Sequence, residues 1–134
     1  MSITGKGGDD LEKKSFADFG VTDPIVDALE DKGITHPFPI QALTLGPALE
    51  RHDIIGQAKT GTGKTLGFGI PVLEDVIAPD EEGYEDLLNP NKPQALIILP
   101  TRELTKQVAQ DLREAAKYLS TRIVEIYGGV AFEP

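Results

Sequence analysis

The chain has 134 residues, enough for one domain with a core of its own, and its 40% hydrophobic and 26% charged residues suit a soluble globular protein. The absence of cysteine excludes disulfides, thiolate metal sites and cysteine nucleophiles together. A formal net charge of −9 argues against a nucleic-acid binder that works by bulk charge, but not against one that uses a few local backbone contacts.

Residues 1–14, with three glycines and a Gly-Gly-Asp-Asp stretch, read as a mobile leader. Asp23-Pro24 reads as a helix start, with Asp23 as N-cap and Pro24 in the first turn. Ile25, Val26 and Leu29 give that helix an apolar face, and Gly33 ends it in the left-handed conformation. Pro37 and Pro39 punctuate a loop. A short helix over residues 39–49 follows, disturbed or ended by Gly46-Pro47.

Residues 53–58 read as a strand around Ile54-Ile55, directly before a glycine-rich turn. After the turn, Leu66, Ile70, Leu73 and Ile77 recur at helical spacing, and Phe68, Val72 and Val76 fill another side. That pattern predicts a helix buried on more than one face. Residues 79–92, rich in Asp and Glu, read as a solvated loop, with an acidic interaction patch as the alternative. Residues 95–99, Ala-Leu-Ile-Ile-Leu between two prolines, predict a buried parallel strand. A helix over about 102–119 shows one face of Leu104, Val108, Leu112, Ala115 or Ala116, and Leu119. Residues 122–127 predict another strand, ended by Gly128-Gly129. Alternation of strands and helices implies a layered α/β fold on a parallel sheet.

The longest strongly apolar run, residues 95–99, is far short of the ~20 residues a spanning helix needs, so no membrane segment is read. The N-terminus lacks an apolar signal region, and a cytoplasmic protein is expected.

The chemistry concentrates in Ala58-Lys59-Thr60-Gly61-Thr62-Gly63-Lys64-Thr65. A phosphate-binding P-loop is Gly-x-x-x-x-Gly-Lys-[Ser/Thr] between a strand and a helix. Here Gly63, Lys64 and Thr65 match, and Ala58 stands at the first position. Small residues let successive backbone N–H groups curl round phosphate oxygens. The next helix aims its positive end at the same anion. Lys64 is the residue expected to reach the β- and γ-phosphates of a nucleotide, and the Thr65 hydroxyl to ligate Mg²⁺. The plainer alternative is a glycine-rich turn that starts an ordinary helix.

Three further features accompany this loop. Residues 33–41, Gly-Ile-Thr-His-Pro-Phe-Pro-Ile-Gln, resemble the Q motif of DEAD-box RNA helicases, and Phe16 lies 17 residues before Gly33, where that family places an isolated aromatic. Pro100-Thr101-Arg102-Glu103-Leu104 resembles motif Ia, and Gly128-Gly129 the family's GG motif. The variant loop beginning with Ala58 is also the family's form. The chain therefore resembles the first part of the ATP-binding lobe of a DEAD-box RNA helicase, over about residues 16–129.

The resemblance implies a RecA-like P-loop fold with a parallel sheet, incomplete at its C-terminal side. It implies that Gln41 hydrogen-bonds the adenine edge and that Phe16 stacks on the ring. It implies that Pro100, Thr101, Arg102, Gly128 and Gly129 touch RNA backbone, which positions a strand without reading its sequence. Simpler alternatives stand beside these roles: Phe16 as a hydrophobic anchor, Gln41 as a solvent-facing helix residue, Arg102 with Glu103 as an exposed first-turn pair, Gly128-Gly129 as a turn. One departure is Phe38, where the family commonly has Thr or Ser.

No Asp-Glu-Ala-Asp run, which in the family holds metal and water for hydrolysis, occurs in these residues. The Ser-Ala-Thr motif and the second helicase lobe, an expected partner, are also absent, so a truncated chain that binds nucleotide without hydrolysing it is expected. Competing readings are another P-loop ATPase or a DNA helicase, and a non-catalytic module that binds RNA or a protein.

Overall fold

In a computed structural model, residues 2–4, 13–59, 61 and 63–129 are described. The elements in order are β1 (Ser2–Thr4), a 3-10 turn (Ala17–Phe19), α1 (Asp23–Glu30), α2 (Pro39–Leu49), β2 (Ile55–Gln57), α3 (Lys64–Asp75) and α4 (Arg102–Ala115). Most of the segment read as a leader lies outside the described residues. Ser2–Thr4 within it pairs in parallel with β2, with Ile3 opposite Gly56.

The helices follow their sequence signals with small shifts. Thr22, not Asp23, is the N-cap of α1, and its side chain makes no cap bond. Its N–H and hydroxyl both donate to Glu74 Oε1 on α3, at 2.7 and 2.9 Å, so tertiary contact replaces local capping. Gly33 does take φ +76° after α1. Pro47 lies inside α2 rather than ending it.

α3 sits between α2 and α4, with Ile70 and Leu73 in the core. Phe16, Val21, Ile25, Leu29, Leu45, Val108 and Leu112 close round them. Glycines on α3 permit this closeness. A β-carbon on Gly69 would run into Leu112 Cδ2 of α4, and one on Gly67 would lie 3.2 Å from Thr44 Oγ1 of α2. Pro71 has no N–H, so the Gly67 carbonyl one turn earlier lacks its helical donor. The buried Thr44 hydroxyl stands 3.3 Å from that carbonyl, and also 2.9 Å from Ile40 O and 3.3 Å from Gln41 O. One proton is thus shared over a site where α2 must meet a broken helical ladder.

α1 is joined to the end of α4 by polar contacts across 86 residues of sequence. Lys117 Nζ and Tyr118 Oη both donate to Asp31 Oδ2, at 2.7 and 2.5 Å. Lys117 and Tyr118 hold the Asp31 carboxyl below its ordinary value, and the Asp31 carboxylate, with Tyr118, raises Lys117 above its own. A Lys32–Glu114 ion pair lies beside them.

The sheet departs from expectation. Residues 95–99 and 122–127 form no strand, and the paired strands among the described residues are β1 and β2 alone. Both segments show one covered and one open side. Ile97, Leu99 and Ile123 pack against the core, while Leu96 and Ile98 are each 84% exposed and Val124 and Ile126 80% and 81%. A strand forms only when a neighbour takes its N–H and C=O groups, and apolar composition supplies no such neighbour. Gln94 instead tethers the first segment to the end of α3, accepting from Ile77 N at 3.0 Å and donating to Ile77 O at 2.8 Å. Phe68, expected in the core, is 38% exposed. No described helix is long and apolar enough to cross a membrane.

Candidate functional site

The loop between β2 and α3 is where the sequence leads one to expect a phosphate site. Gly61 and Gly63 both take φ +80°, a backbone region that L side chains rarely enter. This turns the chain sharply before α3 begins at Lys64. The first N–H groups of α3, those of Lys64 to Leu66, lack intrahelical acceptors by position and face an anion best. Lys64 Nζ donates to the Ala58 carbonyl at 2.6 Å, closing the loop from its first residue to its seventh. Two further ammonium protons remain for other acceptors. Thr65 is half-buried behind it, and Lys59 is exposed. Thr60 and Thr62, also expected in the site, lie outside the described residues.

Gln41 sets the position of this loop. It is 1% exposed, on the first turn of α2. Its Oε1 accepts from Phe38 N at 2.9 Å, and its Nε2 donates to Gly63 O at 2.9 Å. The same amide therefore caps α2 and grips the residue before Lys64. Phe38 has no side-chain acceptor, so the reciprocal half of a capping box is missing. A β-carbon on Gly63 would collide with Gln41 Nε2 and lie 2.6 Å from Phe38 Cδ2. Gly63 is thus required twice, for its φ and for the space around it.

The base-recognition roles expected from sequence take a different shape. Phe16 is 1% exposed and belongs to the core with Val21 and Ile25, so its ring offers no open face to a base. Gln41 is not solvent-facing: each end of its amide makes one hydrogen bond inside the protein, leaving one N–H and one oxygen lone pair unused. Phe38, by contrast, is 56% exposed.

The expected RNA contacts converge although 26 residues separate them. Thr101 caps α4, its Oγ1 accepting from Leu104 N at 3.1 Å. Arg102 Nη2 donates to Gly128 O. Gly129 has φ +82°, and a β-carbon there would strike the same guanidinium. The Arg102 guanidinium carbon and the Lys106 ammonium lie 5.4 and 5.6 Å from the Tyr127 ring centre. Two cations thus meet the GG turn at one exposed place on an acidic chain, beside exposed Pro100 and Thr101.

Three residues here escaped sequence reading. Thr44 had a readable signal, since Pro71 leaves Gly67 O without a donor. Lys106 stands four residues after Arg102, the spacing of one helix face. Tyr127 directly precedes the paired glycines.

The chain is 46% identical over 126 residues to DEAD-box ATP-dependent RNA helicase 3B, chloroplastic, of Zea mays, covering 94% of this chain and 16% of that protein. It is 45% identical to DEAD-box ATP-dependent RNA helicase 9, mitochondrial, of Arabidopsis thaliana, covering 92% of this chain and 19% of that protein. The chain therefore spans less than a fifth of either relative. The crystal structure of the RNA helicase Prp28 from Chaetomium thermophilum bound to ADP superposes with a TM-score of 0.74 at 31% identity, covering 93% of this chain and 30% of that one.

These relatives correct one expectation. A cytoplasmic location was inferred from the lack of a signal peptide, yet the two plant relatives are named as chloroplastic and mitochondrial. A soluble composition is equally compatible with an organelle interior, so it selects no compartment. The sequence pattern described as DEAD/DEAH box helicase matches residues 38–134, and the chain belongs to that family.

Proposed function

We propose that this chain is the ATP-binding portion of an ATP-dependent RNA helicase that remodels or opens short RNA duplexes, and that its 134 residues bind nucleotide without hydrolysing it. The observation that carries the reading is the loop from Ala58 to Thr65. It has two left-handed glycines, the start of α3 directly behind it, and a lysine reaching across it. In this reading the backbone N–H groups of Gly61, Gly63, Lys64 and Thr65 take phosphate oxygens, with Thr60 and Thr62 contributing by position. The Lys64 ammonium leaves Ala58 O for the β- and γ-phosphates. Thr65 is the residue that would hold Mg²⁺, through its hydroxyl oxygen. The metal, when bound, neutralises charge on the phosphates. Gln41 holds Gly63 in place for this.

Thr101, Arg102, Gly128 and Gly129 form an RNA backbone contact beside Pro100. Arg102 spends one N–H on Gly128 O and retains four for phosphate. A second lobe of the same family fold completes the RNA groove in the working enzyme. Hydrolysis needs an acidic residue that holds the metal and a group that positions water, and the family places these in an Asp-Glu-Ala-Asp run that these residues lack. We place the site of action in an organelle, by analogy with the plant relatives.

The test is a titration of the chain with Mg-ATP, followed by amide NMR. Saturable shifts at Gly61, Gly63 and Lys64, lost in Lys64→Ala, support the reading. Binding that is indifferent to Lys64→Ala refutes it. Phosphate release in the presence of RNA is expected to stay at the Lys64→Ala level.

A further inference from the structure

Lys106 and Tyr127 have no role in the RNA contact assigned above, yet the fold brings both to it. Lys106 is exposed and stands one helical turn beyond Arg102 on α4, about 6 Å further along the axis. Tyr127 directly precedes Gly128, whose carbonyl takes an N–H of Arg102. The Arg102 guanidinium carbon and Lys106 Nζ lie 5.4 and 5.6 Å from the centre of the same Tyr127 ring. Like charges four residues apart on a helix repel. Among the described residues neither cation forms an ion pair with a carboxylate, although the chain holds 22 Asp and Glu against 13 Lys and Arg. A ring face attracts a cation but supplies no net negative charge to neutralise it. Two neighbouring cations are therefore held together on an acidic chain, beside exposed Pro100 and Thr101, with their charge left for an anion from outside.

We propose that Lys106 is a further RNA-backbone contact, taking the phosphate next to the one held by Arg102, and that Tyr127 is a positioning residue that sets both cations. A ring covers one side of a cation and leaves its N–H groups to point elsewhere. Lys106 brings three such donors, and Arg102 keeps four after its bond to Gly128 O. The track so made runs from the start of α4 along its first turn. It reads no base, since it meets only phosphates. This inference rests on the RNA-contact reading above.

The experiment measures binding of single-stranded oligouridylate and oligoadenylate, from about 50 to about 200 mM salt, to the chain and to Lys106→Ala, Lys106→Arg, Arg102→Ala and Lys92→Ala. Lys92, on the acidic loop, controls for the general loss of one positive charge. Lys106→Ala is expected to weaken both oligomers alike and to reduce the steepness of log affinity against log salt by about 0.7, the worth of one phosphate on a single strand. Its loss of affinity is then about 2.6-fold larger at the low-salt end than at the high-salt end. Lys106→Arg should keep both affinity and steepness, and Lys92→Ala should leave the steepness unchanged. Tyr127→Leu should weaken binding and Tyr127→Phe should not, and the Tyr127→Leu loss should shrink in the Lys106→Ala background. The proposal is overturned if Lys106→Ala leaves the steepness unchanged, reduces it no more than Lys92→Ala, or weakens only one oligomer. A Tyr127→Leu loss of the same size with and without Lys106 overturns the positioning role. If Arg102→Ala lowers affinity and steepness while Lys106→Ala does neither, this inference fails alone. If Arg102→Ala changes nothing, or neither oligomer binds, the RNA-contact reading fails and this inference with it.

Discussion

Gly61 and Gly63 offer a matched pair of perturbations, since both hold φ +80° in different surroundings. An alanine at either position costs about 1–2 kcal/mol for the left-handed backbone. It also removes unfolded-chain freedom worth about 0.4–1 kcal/mol in its favour. Among the described residues nothing lies within 4 Å of a β-carbon on Gly61, so Gly61→Ala should cost about 1 kcal/mol net. At Gly63 the added carbon meets Gln41 Nε2 and Phe38 Cδ2. Gln41 must withdraw, and a buried amide loses its acceptor at a further cost of about 1–3 kcal/mol. Gly63→Ala should therefore be about 2 kcal/mol worse than Gly61→Ala. With a urea slope of about 1–3 kcal/mol per molar, this separates the midpoints by roughly 1 M. Urea unfolding followed by far-UV circular dichroism reads the difference directly. Adding Gln41→Ala to Gly63→Ala should cost less than Gln41→Ala alone, because the bond is already gone. Equal midpoints for the two glycine variants, or full additivity with Gln41→Ala, would refute the clamp between the two motifs.

Thr44→Val should destabilise by about 1 kcal/mol, through a carbonyl of α2 or α3 left without its donor. Pro71→Ala restores the helical donor to Gly67 O, so the double variant should recover part of the loss in the same urea assay. Arg102→Ala should weaken RNA binding at all sequences alike and lower the slope of log affinity against log salt by about one, with Mg-ATP affinity unchanged. A sequence-dependent loss, or an unchanged slope, would remove its phosphate role. Acid unfolding reports on Asp31: its carboxyl is held below the ordinary 3.8 by Lys117 and Tyr118, so its contribution is present above that pH and vanishes as pH falls through the lowered value. Asp31→Asn should therefore reduce stability near neutrality and flatten the pH dependence below about 4. Lys117, raised above 10.5 by the same contact, contributes up to that pH and is lost as pH climbs through its raised value, so Asp31→Asn should also flatten the alkaline limb.

What the residues alone determined is the local part of this protein. Period and punctuation placed α1 to α4 within a few positions, because helix hydrogen bonds are made within a few residues and need no distant partner. The glycine-rich turn before α3 was equally legible, since its glycines, its lysine and the helix behind it are contiguous in the chain. The tertiary structure decided the rest. Residues 95–99 and 122–127 have strand composition but no strand, because a strand is completed by a neighbour that composition cannot supply. Thr22 found its partner on α3, and Arg102 found Gly128. Gln41 is buried, with its amide bonded to Phe38 N and Gly63 O. Side-chain type says which bonds a residue is able to make, whereas burial and the nearest unpaired carbonyl decide which ones it makes.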